Sequence, residues 1–287
     1  MSCVITLAQG QSEEEKKRLR KAKISSATMM FHRYDVDGDL DPKGIKRTYE
    51  KYDTKGNLVM KVNYDLNSAV TEKFTYGYNK EGLPVYMIHY DDEENIVDKR
   101  RMKYNDAGKL EKVEGVADDN KYTIDVTFTD SPTRPDSKVK VSSEGDTIHH
   151  ISWEYDEQGN KTKEIFRGEQ HYHMVYTYDE HGNMLTKTAY SGNQQGYSYE
   201  YAYDEEGRKI SEEKLDRKGA SVDKFFYEYN DKGWLKVEKH YSNYLGYLEE
   251  RMVYSYDEHG NIEEIKTWDS EDGMPIYLTK FVYRNRK

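Results

Sequence analysis

Apolar and polar positions alternate along most of this chain in short runs that end at turn residues. In the run 74–78, FTYGY, aromatic side chains occupy every second position, and a period of two is the pattern of a β-strand. A turn sequence follows from Asn79 to Gly82, in which Asn hydrogen-bonds to nearby backbone and Gly accepts positive φ. The run 85–90, VYMIHY, is rich in β-branched and aromatic residues and predicts the return strand. The pattern therefore predicts a β-hairpin with tight turns.

The turn sequence Tyr-Asp/Asn-x-x-Gly recurs along the chain, and the hexapeptide YDEHGN occurs at both 178–183 and 256–261. Successive copies are about 25 residues apart, a spacing typical of repeat proteins. One gap is twice as long, and there FTDSPTRPD, with Asp130, takes the place of a copy. We assign a structural role to the recurring Asp or Asn and Gly, which are Asp53 and Gly56, Asn79 and Gly82, Asn105 and Gly108, Asp156 and Gly159, Asp179 and Gly182, Asp204 and Gly207, Asn230 and Gly233, and Asp257 and Gly260.

This repeat predicts an all-β fold in which residues 26–287 form a single domain of about nine tandem hairpins. The hairpins would make one long, twisted and curved antiparallel sheet. Open sheets of more than about ten strands curl or close, so we expect an open spiral or a partial barrel. The terminal strands of such an array expose unpaired backbone. We therefore expect Arg284, Arg286 and Lys287 to place charge on the final edge.

Residues 11–25 form a different segment, for which SEEEKKRLRKAK predicts a short N-terminal helix. Ser12 and Glu15 fit a capping box. The pairs Glu13–Lys17 and Glu14–Arg18 have the favourable i,i+4 order. Apolar positions are few, so the helix is predicted to be either a loosely docked cap or a stalk.

The composition bears on whether the chain is folded or disordered. Only 35% of residues are hydrophobic, 34% are charged and the mean hydropathy is −1.08, which is compatible with disorder. Aromatic residues make up 13% of the chain, including 28 Tyr, and they follow the strand register, which favours a folded chain. Two tyrosines precede many turns on one face, as at Tyr176 and Tyr178. We expect these rings to form cross-strand ladders.

The tandem sequence Tyr-x-Tyr-Asp-x-x-Gly-Asn/Arg, as in YTYDEHGNMLTK and YAYDEEGRKI, resembles the YD repeat of RHS proteins and teneurins. The resemblance covers about Tyr34 to Tyr283 and implies an antiparallel strip that spirals and, in large members, closes into a shell. Large members enclose or display toxins or mediate cell–cell contact. This chain is too short to enclose a toxin, and Arg follows the Gly only at Arg208. MORN-like repeats are a weaker match, because their glycine spacing is not evident.

Residues 1–10, MSCVITLAQG, are unlike the rest of the chain. They are apolar, and Ala8-Gln9-Gly10 resembles a signal-peptidase site, although no Lys or Arg precedes the run. They are interpreted either as a signal-peptide remnant or as a strand that docks on the sheet. The first interpretation predicts a secreted, periplasmic or cell-surface protein, and the second leaves a cytoplasmic location open. Cys3 is the only cysteine, so an internal disulfide is excluded.

The sharpest candidate for a metal site is the acidic loop DVDGDLD, with Asp35, Asp37, Asp39 and Asp41 at alternate positions. Alternating carboxylates on a tight loop suit calcium, a hard ion that takes six to eight oxygens. The loop departs from the EF-hand pattern, which has Gly where Leu40 stands. The alternative is an acidic turn in the first, irregular unit. Apart from calcium at this loop, we expect no cofactor.

Histidine is a second source of metal ligands. His171 and His173 would share one strand face, with His149 and His150 nearby in sequence, but zinc would need a third ligand. The alternative is a set of polar residues on a wet face. The familiar nucleophile, phosphate-loop and metalloprotease motifs do not occur in the sequence. We therefore expect a non-enzymatic protein.

Charge narrows the class of partner. The formal net charge is −10, which disfavours nucleic acid, because that affinity comes from neutralising phosphates. No apolar run approaches the roughly 18 residues of a membrane span. We expect an extracytoplasmic binding module for a protein or glycan, acting through a Tyr-rich sheet surface. The alternatives are a structural spacer or surface scaffold without a specific ligand, and an intracellular interaction scaffold if residues 1–10 are not a signal remnant.

Overall fold

The computed structural model describes residues 11–128, 131–242, 247–270 and 273–286. Residues 1–10, Asp130 and Lys287, on which the sequence carries predictions, lie outside this part. Helix α1 spans Glu13–Lys21. Twenty strands follow: β1 Ile24–Arg33, β2 Ile45–Tyr52, β3 Leu58–Tyr64, β4 Val70–Tyr78, β5 Pro84–Tyr90, β6 Ile96–Tyr104, β7 Leu110–Ala117, β8 Asn120–Thr127, β9 Ser137–Ser142, β10 Thr147–Tyr155, β11 Lys161–Arg167, β12 His171–Tyr178, β13 Met184–Ser191, β14 Gln194–Tyr203, β15 Lys209–Leu215, β16 Ser221–Tyr229, β17 Leu235–Ser242, β18 Tyr247–Tyr256, β19 Ile262–Trp268 and β20 Tyr277–Asn285.

The predicted all-β class and the tandem hairpins are confirmed. The described residues form two compact units. In the first, which contains residues 11–102, 255–265 and 277–286, each strand from β1 to β5 pairs antiparallel with its successor. In the second, described residues of 103–254 and 266–276 give the same order from β7 to β18. Hydrogen bonding in both units therefore follows the repeat.

The first unit also contains a pairing that the repeat does not predict. Strand β1 pairs on one side with β2 and on the other with β20, over a register from Ile24–Asn285 to Arg33–Tyr277. Strand β20 also pairs with β19. The expectation of an exposed, charged final edge is therefore wrong, because the last strand has two neighbours. The Arg286 guanidinium instead donates to backbone carbonyl oxygens of Ile24, Asp53 and Thr54.

Helix α1 docks on the first unit through Leu19, so of the two predicted alternatives the stalk is wrong. Leu19 is buried with Ile24, Ala27 and Tyr52 in one apolar cluster. The predicted cap is confirmed, because the Glu15 N–H donates to Ser12 Oγ at 3.0 Å. Lys16 pairs with Glu13 at 2.8 Å, and the two predicted i,i+4 pairs are absent from the ion pairs of the described residues.

The recurring turns share one geometry. At Asp53, the Gly56 N–H donates to the Asp53 carbonyl oxygen at 3.1 Å, and the Asp53 N–H donates to the Asn57 carbonyl oxygen at 2.9 Å. Gly56 has a φ of +81°, so a tight turn ends in a left-handed residue and a bulge. Pairing shifts there, from Lys51–Met60 to Tyr52–Leu58. The same two backbone hydrogen bonds recur at each of the eight assigned turns.

The Asp side chain holds the turn closed. Asp53 Oδ1 accepts the N–H groups of Lys55 and Asn57, at 2.8 and 2.9 Å, while Asp53 Oδ2 accepts the Asn57 side-chain amide at 2.9 Å. The side-chain amide of the residue after Gly donates the same hydrogen bond to the turn Asp at Asn160, Asn183 and Asn261. At Asp204 the Arg208 guanidinium takes the place of the amide, at 2.7 Å. Hydrogen bonding to the charged form lowers the pKa of several turn carboxyls, including Asp65, Asp179 and Asp216.

The long gap in the repeat contains hairpins with other turns. Asp118 and Asp119, with φ of +46° and +63°, make a two-residue turn between β7 and β8. Two positive φ angles in succession are the mark of a type I′ hairpin. At the end of β9, Ser142 Oγ accepts the N–H groups of Glu144 and Asp146, each at 3.2 Å. The Ser142 hydroxyl therefore accepts two backbone N–H groups, as the Asp carboxylate does in the repeat turns.

Candidate functional site

The second unit has one sheet face on which aromatic side chains are concentrated. Cross-strand pairing places Tyr201 opposite Glu212, Glu212 opposite Phe225, and Tyr227 opposite Glu238. We call this the tyrosine face, and it carries Trp153, Phe166, Tyr172, Tyr176, Tyr197, Tyr199, Tyr201, Phe225 and Tyr227. The opposite face carries residues such as Thr177, Thr186, Glu200 and Phe226. Among the described residues, the opposite face also carries rings, such as Tyr190, Phe226 and Tyr241, but fewer of them.

Cross-strand stacking of tyrosines was predicted, but Tyr176 and Tyr199 of the tyrosine face are not directly opposite each other. Tyr176 lies opposite Lys187, and Lys187 lies opposite Tyr199. Ammonium groups cover the rings instead: Lys161 Nζ lies 4.6 Å from the Tyr176 ring centroid, and Lys209 Nζ lies 4.6 Å from that of Tyr227. The rings are therefore separated by one strand and joined by cation–π contacts. Stacked pairs on this face join Phe to His or Tyr, as in Phe166–Tyr172 at 5.0 Å.

Some tyrosine hydroxyls are already occupied within the fold. At several turns the Tyr before the turn Asp or Asn donates to a backbone carbonyl oxygen about 20 residues earlier, whereas Tyr52 donates to Glu50 Oε2. Examples are Tyr178 to Lys161 at 2.7 Å, Tyr203 to Met184 at 2.9 Å and Tyr229 to Lys209 at 2.7 Å. These tyrosines are structural, and their hydroxyls connect one repeat to the repeat before it.

Two other tyrosines of the tyrosine face are open to solvent. Tyr172 is 37% exposed and Tyr197 is 48% exposed. They belong to β12 and β14, which lie about 10 Å apart with β13 between them. In contrast, Tyr176 is buried, and burial raises its pKa. Burial also raises the pKa of Tyr201 to about 12, so this hydroxyl is a neutral hydrogen-bonding group at physiological pH.

A cluster of titratable groups lies at one end of the same face. The His240 ring is parallel to Phe225, with centroids 4.3 Å apart and planes within 3°. His240 Nε2 lies 3.2 Å from Asp223 Oδ1, and His240 Nδ1 lies 3.2 Å from Glu249 Oε2. Strands β16, β17 and β18 each supply one of the three residues. We call this the His240 cluster.

Sequence reasoning missed the His240 cluster because its members are far from a local motif. Asp223, His240 and Glu249 are separated by 17 and 9 positions in the sequence. Glu249 reaches the ring because pairing shifts between His240–Glu250 and Tyr241–Leu248, which leaves Glu249 as an extra residue in a bulge. The alternation of aromatic residues in β16 could be read from the sequence. The bulge that turns Glu249 toward His240 could not.

The acidic loop predicted as a calcium site is another copy of the repeat turn. Asp35 Oδ1 accepts the N–H groups of Asp37 and Asp39, at 3.0 and 2.9 Å. Gly38 has a φ of +85°, and its N–H donates to the Asp35 carbonyl oxygen. Asp41 Oδ1 accepts the Lys43 N–H instead, at 3.0 Å. The four carboxylates are exposed and do not converge as a ligand set, and calcium binding there stays a prediction.

The histidines near position 171 are not brought together either. The His149 ring stacks on Phe166, which lies on the tyrosine face. His173 pairs with Ile165 and stacks on Tyr190, on the opposite face. His171 shares that face with His173 by strand alternation. The alternation of β12 therefore separates these imidazoles from His149, and a shared zinc site there is not formed.

Comparison with known proteins adds distant likenesses only. No family model and no curated protein matches this chain. Among solved structures, the chain is similar to the Tc holotoxin pore of Photorhabdus luminescens (14% identity, TM-score 0.38, 86% of this chain and 17% of that chain). It is also similar to porin-like proteins of Bacteroides uniformis (8%, 0.39, 92% and 97%) and Bacteroides vulgatus (12%, 0.33, 67% and 95%). The chain thus spans about a sixth of the toxin chain that it matches. At TM-scores below 0.5, these likenesses carry no argument about function.

The structure gives one further finding about membranes. Over the described ranges, no helix is long and apolar enough to cross a bilayer. Helix α1 has only nine residues and carries charge along most of its length.

Proposed function

We propose that this chain is a non-enzymatic binding module that holds a glycan or protein ligand against the tyrosine face of its second unit. The observation that carries the proposal is the exposure of Tyr172 and Tyr197 on a face whose other rings are half-buried. Aromatic rings that are open to solvent and fixed at their base suit sugar rings and protein hot spots.

The chemistry between the rings favours a glycan over a protein. Lys214 Nζ lies 4.8 Å from the Tyr197 ring centroid, and Glu164 accepts hydrogen bonds from the Trp153 indole and from Lys161, both at 2.8 Å. Such a face alternates flat rings with paired donors and acceptors. A protein partner would more often be met by a continuous apolar patch at the centre of the interface.

We further propose that the chain is a short YD-repeat protein of RHS and teneurin type that acts outside the cytoplasm. The support for the family is the tandem sequence Tyr-x-Tyr-Asp-x-x-Gly, whose turns share one hydrogen-bond geometry. The support for the location is the apolar segment before residue 11, interpreted as a signal-peptide remnant.

The second candidate is a structural spacer or scaffold without a specific ligand. The observation that favours it is the use of Tyr178, Tyr203 and Tyr229 as internal hydrogen-bond donors. If residues 1–10 are retained in the cytoplasm, the scaffold would be intracellular.

A binding experiment separates the two candidates. The purified chain is screened against a glycan array and against cell-surface proteins, and hits are measured by calorimetry. The double variant Tyr172→Ser, Tyr197→Ser is expected to weaken binding at least about tenfold. Phe226→Ser is the control, because Phe226 is 39% exposed on the opposite face. Equal affinity in the double variant, or no ligand in either screen, would leave the scaffold as the function.

A further inference from the structure

We propose that the His240 cluster is a binding site for a divalent transition-metal ion of the zinc type, with Asp223, His240 and Glu249 as its protein ligands. This site is independent of the ligand-binding function proposed above.

The geometry is the first support. One ligand atom from each of the three residues lies within 4.8 Å of the other two. Asp223 Oδ1 lies 3.2 Å from His240 Nε2, whereas Glu249 Oε2 lies 3.2 Å from the other ring nitrogen, Nδ1. Ligands at about 2.0–2.1 Å from a tetrahedral zinc ion lie roughly 3.3 Å apart, so the ion would take one ring nitrogen and the carboxylate beside the other nitrogen would move toward it. Within the described ranges, no other His, Cys, Asp and Glu side chains form such a group.

The positioning of the imidazole is the second support. Stacking on Phe225 fixes the plane of the His240 ring. A ring whose plane is fixed presents each nitrogen in one direction, and metal-ligating imidazoles are usually oriented by neighbouring groups in this way.

The third support is an internal comparison with the first unit. There Phe74 and His89 form the same stacked pair, at 4.3 Å, and His89 Nε2 lies 3.1 Å from Glu72 Oε2. The residue opposite His89 is Asp98, and the Arg100 guanidinium forms an ion pair with it. A protein cation therefore supplies positive charge in the first unit.

The second unit has carboxylates at the matching positions but replaces the arginine. Glu250 lies opposite His240, and Met252, opposite Glu238, stands where the first unit has Arg100. Asp223, Glu238, Glu249 and Glu250 thus surround one imidazole, and Lys214 Nζ reaches the second Asp223 oxygen only at 3.8 Å. An excess of carboxylate around an imidazole attracts a cation, and a nitrogen ligand favours zinc over calcium or magnesium.

Metal titration of the tag-free full chain tests the proposal. Zinc chloride is titrated by calorimetry, with competition against a chromophoric chelator. We expect one ion per chain with a Kd of about 10 μM or tighter. His240→Ala and the near-isosteric Asp223→Asn should each weaken binding at least about tenfold, whereas the matched control His89→Ala should bind as the parent does.

Circular dichroism and the urea midpoint show whether each variant is folded. Zinc should also raise the urea midpoint of the parent and of His89→Ala, but not that of His240→Ala. The proposal is overturned if the parent binds no zinc at micromolar concentrations. It is equally overturned if Asp223→Asn and His240→Ala bind as tightly as the parent, or if His89→Ala loses binding to the same extent.

Discussion

The Tyr178 hydroxyl donates a hydrogen bond to the backbone carbonyl oxygen of Lys161, 2.7 Å away and 17 residues earlier in the chain. Lys161 is the first residue of β11, just beyond the turn that precedes the turn at Asp179. The bond therefore joins two successive repeats near one edge of the strands. The same link recurs at Tyr203, Tyr229 and Tyr283.

Removal of this hydroxyl should destabilise the protein without disturbing its core. Tyr178→Phe loses one hydrogen bond and leaves a half-buried carbonyl with one fewer partner, so the free energy of unfolding should fall by about 1 kcal/mol. Urea unfolding followed by fluorescence measures the change. The control is Tyr197→Phe, at an exposed ring, which should be close to neutral. An equal loss of stability in both variants would contradict a specific role for the Tyr178–Lys161 hydrogen bond.

The Asn after the turn glycine should matter most where it is buried. Asn57 is 2% exposed and donates to Asp53 Oδ2 at 2.9 Å. Asn57→Ala is expected to lower the free energy of unfolding by about 1–2 kcal/mol. The side-chain hydrogen bond that it removes is buried and is accepted by a charged carboxylate oxygen. Asn95 makes the same bond to Asp91 at 3.1 Å but is exposed, and Asn95→Ala should cost less than about 0.5 kcal/mol. Equal costs would show that burial does not set the strength of this bond.

Two glycines with the same backbone angle separate turn strain from helix docking. Gly56 and Gly219 both have a φ of +81°. A Cβ at Gly56 would lie 2.5 Å from the Lys16 carbonyl oxygen, whereas a Cβ at Gly219 has nothing within 4 Å. Gly219→Ala should cost about 1–2 kcal/mol from the left-handed backbone alone.

Gly56→Ala should cost more and should also displace helix α1. The expected readout is a lower urea midpoint than that of Gly219→Ala, together with faster cleavage within residues 13–21 by a protease specific for basic residues. If the two variants have the same midpoint and the same cleavage rate, the contact between Gly56 and α1 does not contribute to docking.

Acid should weaken the repeat turns. The folded-state pKa of Asp179 is lowered, chiefly by the Asn183 amide, and that of Asp65 is lowered, chiefly by the Ala69 N–H. A lowered folded pKa contributes stability that is fully present above the unfolded pKa of about 3.9, and that is lost as the pH falls through the folded pKa. The urea midpoint should therefore be nearly constant from about pH 7 to 5 and should decline below about pH 4.

Asp179→Asn tests the origin of that decline. Asn keeps an oxygen for the two backbone N–H groups, as Asn105 and Asn230 do in their own turns, but it does not titrate. The variant should therefore show a smaller decline in acid than the parent. A decline of the same size would assign the acid sensitivity to other carboxylates.

The sequence predicted the strands and turns well because both are set locally. Alternating aromatics and the Asp-x-x-Gly spacing act within a few residues, and neither depends on distant partners. The Asp35 loop shows the limit of that approach. Tyr34-Asp35-Val36-Asp37-Gly38 fits the repeat turn, yet its extra carboxylates drew attention to calcium, and the structure shows Asp35 engaged as any other turn Asp.

Contacts across strands could not be predicted, because each turn bulge adds a residue and changes which side chains meet. The lysines over the tyrosine rings and the approach of Glu249 to His240 both depend on such shifts.

One rule about the turns could have been found in the sequence: where the turn residue is Asn, the residue after Gly is Leu83, Lys109 or Trp234 rather than another Asn. The side-chain amide there has a role only opposite a carboxylate.

The pairing of β1 with β20 has a consequence for synthesis and folding. Arg286 bonds to Ile24 across 262 positions, so the second neighbour of β1 is synthesised long after β1 itself. At roughly 5–20 residues per second, β1 would emerge some 10–50 s before β20. The hairpins need only short loops and form in microseconds, whereas the pairing of β1 with β20 closes a loop almost as long as the chain. Until β20 has been made, β1 can pair only with β2, and its other edge stays unpaired.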